Sequence, residues 1–363
     1  MLDVLRTAAA YFFDLGILVF FHELGHYLAA RSQGVVVETF SIGFGPSLFS
    51  WRAKSGTVWR LAALPLGGYV KMQGWGEPAA ETDAADAPGS FSSAKLSSKA
   101  LIVAAGPFAN FVLAFVLLAG LFAFHGRLQM PDAVVGKVVP GSAAAGAGLR
   151  EGDRILAIDG HKMRNFEDLV REVVAHPDQT LRFKLTREGH MVTQPVTLGE
   201  KRVQGEAIGS LGVYAPPLKL QRLGPLAAVH DAAKESWQAI VATSVGIFNL
   251  IVHQQGVHQL RGMIGIAQIT GKVAADGIAS LVGLVAMISI NLGLVNLIPI
   301  PILDGGHLLF YAIEAVTGRK LPERAREIGL RFGLAVIASL FFVTTLNDLA
   351  RLGAVGWVSH LFG

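Results

Sequence analysis

The densest chemistry in the chain sits near its start, in His22-Glu23-Leu24-Gly25-His26. On a helix, positions four apart differ by only about 40° around the axis, so both imidazoles face one side within reach of a single metal ion. Glu23, beside the first ligand, is placed to take a proton from water. Imidazole nitrogens suit Zn²⁺, and a catalytic zinc usually holds three protein ligands and one open position. The third ligand must come from elsewhere, and Leu303-Asp304-Gly305-Gly306-His307 offers two candidates. Asp304 is the first charge after a 26-residue apolar run from Ile278 to Leu303, so it can approach the first helix at similar depth; His307 is its rival. Pro299 and Pro301 stop a helix before Asp304, and the two glycines let backbone pass closely around whatever the carboxylate holds. The plainer readings are polar histidines at a helix end and an aspartate capping a helix. They are weakened because ionisable groups in hydrocarbon cost at least ~2.5 kcal/mol each and default to a functional reading.

The elements around these residues are those of a membrane protein. Of 363 residues, 52% are hydrophobic and 16% charged, with a mean hydropathy of +0.48, which does not suit a water-facing surface. The absence of cysteine excludes disulfides, thiolate metal sites and thiol nucleophiles. No Lys/Arg cluster reads as a nucleic-acid footprint, so nucleic acid is not an expected partner. A span needs about 20 apolar residues. Ala100–Phe124 and Ile278–Leu303 qualify, Phe332–Leu346 reaches span length with its flanks, and Leu5–Ala30 is equally apolar until Asp14 and the histidine motif interrupt it. Residues 35–72 mix β-prone pieces with glycines and suggest hairpins or a bent sheet lying against the bilayer. Glu77–Gly89 reads as a flexible loop, and Leu223–His253, with Asp231, Lys234 and Glu235, as an amphipathic interfacial helix. Residues 131–217 alternate strand-like stretches (Val134–Val139, Arg154–Ile158, Leu181–Leu185) with a helical pattern at Phe166–Val174, the signature of a soluble insert. Seven Lys/Arg lie between Arg31 and Lys99, and five more from Arg319 to Arg331. The positive-inside rule puts these loops in the cytoplasm, the insert and both termini outside, and the number of spans at four.

At this point the chain resembles the site-2 protease family of intramembrane zinc metalloproteases, and within it the bacterial regulator of sigma-E protease group. The carrying motifs are HELGHYLAAR (His22–Arg31), VETFSIGFGP (Val37–Pro46), LPLGGYVKM (Leu64–Met72), GPFANF (Gly106–Phe111) and NLGLVNLIPIPILDGGHLLF (Asn291–Phe310). The resemblance implies a Zn²⁺ cofactor held by His22, His26 and Asp304, with Glu23 as the catalytic glutamate. It assigns substrate or transition-state contacts to Asn291 and Asn296. It also places Gly43, Phe44 and Gly45, within Ser41–Pro46, in a membrane-associated β-hairpin that presents an extended substrate. Read from the residues alone, Asn291 and Asn296 stand about 140° apart on a helix, so interhelical hydrogen bonding suits at least one. Asn296, nearer the bend, is the better oxyanion contact.

Within the insert, PGSAAAGAGLREGD followed by an Asp159-Gly160 turn resembles the PDZ domains of bacterial proteases, whose exposed sheet edge takes up an extended peptide or chain end. The expected fold class is therefore an α-helical polytopic membrane protein of about four spans, with a membrane-associated β-hairpin region and an inserted extracytoplasmic PDZ-like α+β domain. Its parts are residues 1–125 (first half of the protease core), 131–217 (PDZ-like domain) and 222–363 (second half of the core). The group carries two such domains in several members, whereas this insert has room for one, and Met263 stands where the family pattern has proline. The expected activity is hydrolysis of peptide bonds in or near the transmembrane segment of single-span proteins in the bacterial inner membrane, with the PDZ-like domain periplasmic and the active site toward the cytoplasm. Anti-sigma factors and signal-peptide remnants are the implied substrates. A non-catalytic membrane PDZ scaffold and a zinc-handling transporter are the rivals; the intact His22, Glu23, His26 and Asp304 disfavour the first. The peptide-binding insert disfavours the second.

Overall fold

The computed structural model describes residues 2–75, 88–129, 131–203, 206–253 and 260–352; residues 77–87 of the expected flexible loop lie outside them. The chain divides into two compact units, residues 1–125 with 224–363, and residues 126–223.

In the first unit, α1 (Leu2–Ser32) carries the HExxH residues past its middle. It ends in a Schellman arrangement: Gly34, at φ +77, closes the helix while Val35 N donates to Ala30 O and Gly34 N to Arg31 O. The chain then enters β1 (Val37–Arg52) and β2 (Val58–Met72). Both strands fold over on themselves. The first half of β1 pairs on one side with the end of β2 (Ser41 with Tyr69) and on the other with its start (Ser41 with Arg60), while the end of β1 pairs with the start of β2 again (Trp51 with Trp59). The expected bent sheet is thus a four-segment antiparallel sheet, with the Leu64–Met72 segment at one edge. Phe40 stacks on Trp59 at 4.3 Å and packs against Tyr27, which seats the sheet on α1. α2 (Leu96–Phe124) follows, with Pro107 inside it. Proline has no N–H, so the Val103 carbonyl loses its helical donor.

The second unit contains β3 (Arg127–Gln129), β4 (Lys137–Val138), α3 (Ala143–Gly146), β5 (Arg154–Ile158), β6 (His161–Lys162), α4 (Phe166–Val174), β7 (Thr180–Arg187), β8 (His190–Thr197), β9 (Gly199–Val203), β10 (Glu206–Ser210), β11 (Val213–Tyr214) and β12 (Lys219–Gln221). Its central sheet has the order β6-β5-β7-β8. Asp159 and Gly160, at φ 45 and 89, make the two-residue turn between β5 and β6, both positive as a primed hairpin turn requires. Leu181, Phe183 and Leu185 alternate inward along β7 and meet Leu169 and Val173 of α4 in one buried cluster. Asn165 caps α4 by accepting from Asp168 N at 2.8 Å. The expected Val134–Val139 strand is shorter in the fold: β4 keeps two residues, and Val134 makes an isolated bridge to Arg154.

The chain returns to the first unit with α5 (Pro225–His253), α6 (Met263–Ala275), α7 (Ile278–Asn296), α8 (Asp304–Thr317) and α9 (Glu323–Arg351). Five helices among the described residues, α1, α2, α5, α7 and α9, are long and apolar enough to cross a membrane. The protein is a polytopic membrane protein. α5, expected at the interface, joins this set by length and composition because Asp231, Lys234 and Glu235 fall within its first 11 residues, Pro225–Glu235, and Ser236–His253 carries no Asp, Glu, Lys or Arg. Its buried Ala228, Ala232, Ser236 and Ala239 form a small-residue stripe along the helix. The apolar run from Ile278 to Leu303 is not one helix: α7 stops at Asn296, before Pro299, and the remainder turns back toward Asp304. Met263 is the first residue of α6, the one helical position where proline and an ordinary residue serve equally well.

Candidate metal centre

α1 and the first turn of α8 bring three ligand atoms together. His22 Nε2 lies 3.2 Å from Asp304 Oδ2, His26 Nε2 lies 3.6 Å from it, and the two Nε2 atoms are 3.2 Å apart. Each separation is close to the edge of a tetrahedron with ligand distances of about 2.0–2.1 Å, which is about 3.4 Å. The donor set, two imidazoles and one carboxylate, is also a known catalytic zinc set. The residues present therefore fit zinc.

Close helix contacts make this possible. A Cβ at Gly25 would meet Ala105 O at 2.2 Å, and one at Gly106 would meet His26 Nε2 at 2.2 Å. α1 and α2 thus touch at backbone level on either side of the ligand. His26 Nδ1 donates to Ile102 O at 2.9 Å, which fixes the proton on Nδ1 and leaves Nε2 its lone pair. On the far side, Gly305 and Gly306 pack so tightly on the Leu297 and Ile300 carbonyls that a Cβ at either would fall 2.3 Å from backbone oxygen. The turn after α7 is folded back under the start of α8, and this sets the depth of Asp304.

The three ligands open into a cavity of about 320 Å³ lined also by Glu23, Asn296 and His307, and by Gly68, Tyr69, Val70, Met72 and Trp75. Val70 N–H donates to the Glu23 carboxylate, so the edge segment of β2 runs beside the glutamate. His307, the rival ligand, lines this cavity without joining the converging ligand atoms; its ring faces Trp75 at 5.7 Å and Phe310 at 6.4 Å.

The other expected contacts divide. Asn296 faces the cavity. Asn291 does not: five residues earlier it points toward α5, where its Oδ1 accepts from Thr243 Oγ1 at 2.9 Å. Gly43 and Gly45 adopt φ +88 and +85 at the fold of β1, and Phe44 stacks on Tyr69 at 6.0 Å. None of the three is among the residues that line the cavity, whereas Gly68, Tyr69 and Val70 are. The LPLGGYVKM motif marks this segment in sequence, but its place beside Glu23 follows from the folded register of the sheet. Asn110 of GPFANF, which its motif does not mark as a site residue, is buried with its amide 3.2 Å from His22 Nδ1.

Residues 10–340 match Peptidase family M50. A relative from Rhizobium meliloti is 40% identical over 367 residues, covering 96% of this chain and 98% of its own. Metalloprotease MmpA of Caulobacter vibrioides is 35% identical over 398 residues, covering 100% of both chains, and zinc metalloprotease RasP of Geobacillus kaustophilus is 34% identical, covering 97% and 99%. A PDZ domain from Listeria monocytogenes covers 24% of this chain and 92% of its own at 17% identity and a TM-score of 0.21. The chain belongs to Peptidase family M50, the site-2 proteases, and is a zinc metalloprotease.

Proposed function

We propose that the protein hydrolyses peptide bonds in or beside the membrane segment of single-span proteins, with His22, His26 and Asp304 holding zinc and Glu23 as the catalytic glutamate. The observation that carries this is the convergence of two imidazoles from a membrane-length apolar helix with a carboxylate from the start of α8, with Glu23 opening into the same cavity.

When bound, zinc supplies Lewis-acid polarisation of the scissile carbonyl and of water at neutral pH. Glu23 takes the proton of the attacking water and returns it to the leaving amine. The Asn296 amide donates to the oxygen on which negative charge develops. A substrate helix hides its amides in its own hydrogen bonds, so it must unwind before attack. The Gly68–Met72 edge of β2 can receive the unwound strand by edge pairing, and Phe44, stacked on Tyr69, supports that edge.

Four spans, with α5 at the interface, place the Arg31–Lys99 and Arg319–Arg331 loops and the mouth of the active site on the cytoplasmic side of the bacterial inner membrane, and the PDZ-like unit in the periplasm. That unit takes up a peptide or chain end. The substrates this reading favours are anti-sigma factors already trimmed outside, releasing a cytoplasmic fragment, and signal-peptide remnants. The purified, detergent-solubilised Glu23→Gln variant, assayed beside wild type on a model single-span substrate with metal analysis of both, tests the assignment. Retained metal with lost cleavage is expected, and unchanged cleavage removes Glu23 from the mechanism.

A further inference from the structure

We infer that Asn110 is a positioning residue for the zinc site: its side-chain oxygen accepts the Nδ1–H of His22 and so reserves His22 Nε2 for the metal. This rests on the zinc-protease reading and adds to it a residue on a third element, α2. Asn110 is fully buried, at 0% exposure. Its amide nitrogen lies 3.2 Å from His22 Nδ1, and its Oδ1 is buried with no hydrogen-bond partner. The two amide atoms exchange places by a half-turn about Cβ–Cγ with almost no change of shape.

The two orientations differ in chemistry. With nitrogen toward the ring, the amide donates and His22 Nδ1 must accept, which leaves the ring proton on Nε2. That atom faces Asp304 and His26, and once protonated it has no lone pair for a metal. With oxygen toward the ring, Nδ1–H donates, the orphaned oxygen gains a partner, and Nε2 is free. His26 already shows this arrangement, because the Ile102 carbonyl can only accept. Asn110 is itself held in place, since Ser289 Oγ of α7 donates to its backbone carbonyl at 2.8 Å in a buried contact. Both ligand imidazoles of α1 thus take their tautomer from α2, one from a main-chain carbonyl and one from an amide. Outer partners of this kind orient the ligand ring and tune its basicity.

The test compares zinc affinity of the full-length protein by chelator competition in wild type, Asn110→Leu and Asn110→Asp. Leucine keeps the bulk without an acceptor, and aspartate keeps an acceptor oxygen. Zinc should bind the leucine variant about 10- to 100-fold more weakly and the aspartate variant within a few-fold of wild type. Cobalt-loaded wild type supplies a readout that needs no variant: it should show two slowly exchanging, hyperfine-shifted imidazole N–H resonances, one from each histidine. Equal zinc affinity in wild type and Asn110→Leu, an aspartate variant as weak as leucine, or a His22 N–H lost to fast solvent exchange overturns the role of Asn110 and leaves the zinc site standing. Wild type that binds no zinc overturns both.

Discussion

Two aspartates of this protein, Asp153 fully buried and Asp304 half-buried, are treated in opposite ways. Asp153, in the inserted unit, is 1% exposed and held by the Arg187 fork, with Nε and Nη2 at 2.8 and 2.7 Å, while Arg150 N–H donates to it at 2.8 Å. Burial alone would raise its pKa, but the Arg187 and Arg150 hydrogen bonds outweigh burial and hold it below the usual carboxylate value. Asp304 also meets nitrogen, yet its partners are two imidazoles, and no Lys or Arg pairs with it among the described residues. One carboxylate finds its cation within the chain and closes a structural pair. The other gathers further lone pairs and leaves the cation to come from outside. A buried acid with a guanidinium partner reads as architecture; one surrounded by metal-binding nitrogens reads as a site.

The widest separation between the two should come from Asp304→Asn, which removes zinc and brings cleavage to background while the inserted unit keeps its unfolding midpoint; metal analysis beside calorimetry checks both. Gly106→Ala should follow, because the added methyl lands on His26 Nε2. A ligand pushed aside by this amount lowers kcat/KM on the order of 100-fold, and wild-type turnover in that variant would mean that α1 and α2 are not in backbone contact at the site. Arg187→Leu should reverse the pattern, lowering the inserted unit's Tm by several degrees with zinc content unchanged. Because the folded Asp153 value is depressed, its contribution is fully present above about pH 3.8 and is lost as the pH falls through the folded value. The stability gap between wild type and Asp153→Asn should therefore narrow on acidification below that point, and a gap constant with pH would break the pairing argument. The smallest effect belongs to Asn291→Leu: its hydrogen bond to Thr243 is worth ~0.6 kcal/mol at typical membrane values, so cleavage should change only a few-fold.

Much of this was legible in sequence because the governing physics is local. The spacing of His22 and His26 puts them on one helix face whatever surrounds them, the first charge after an apolar run marks Asp304, and Asp159-Gly160 announces its turn. What escaped depends on how distant elements meet. The strand beside Glu23 is the Gly68–Met72 edge, and not the Gly43–Gly45 bend, because β1 and β2 fold over on themselves in a register that no periodicity encodes. The helical angle between Asn291 and Asn296 already gives them different faces, but that Asn291 meets Thr243 of α5 follows only from the packing of α5 against α7. The charges of α5 sit at one end and not along one face, which becomes plain only once the extent of the helix is seen. Asn110 lies inside the GPFANF motif, but an asparagine in an apolar helix shows its role only when the facing helix brings an imidazole to it.

X-ray absorption at the zinc edge on stoichiometrically loaded, full-length protein addresses the metal centre most directly. Two histidine nitrogens and a carboxylate oxygen at about 2.0–2.2 Å, with the carboxylate contribution gone in Asp304→Asn, is the predicted result. A first shell in wild type that lacks either imidazole, or one that Asp304→Asn leaves unchanged, would contradict it.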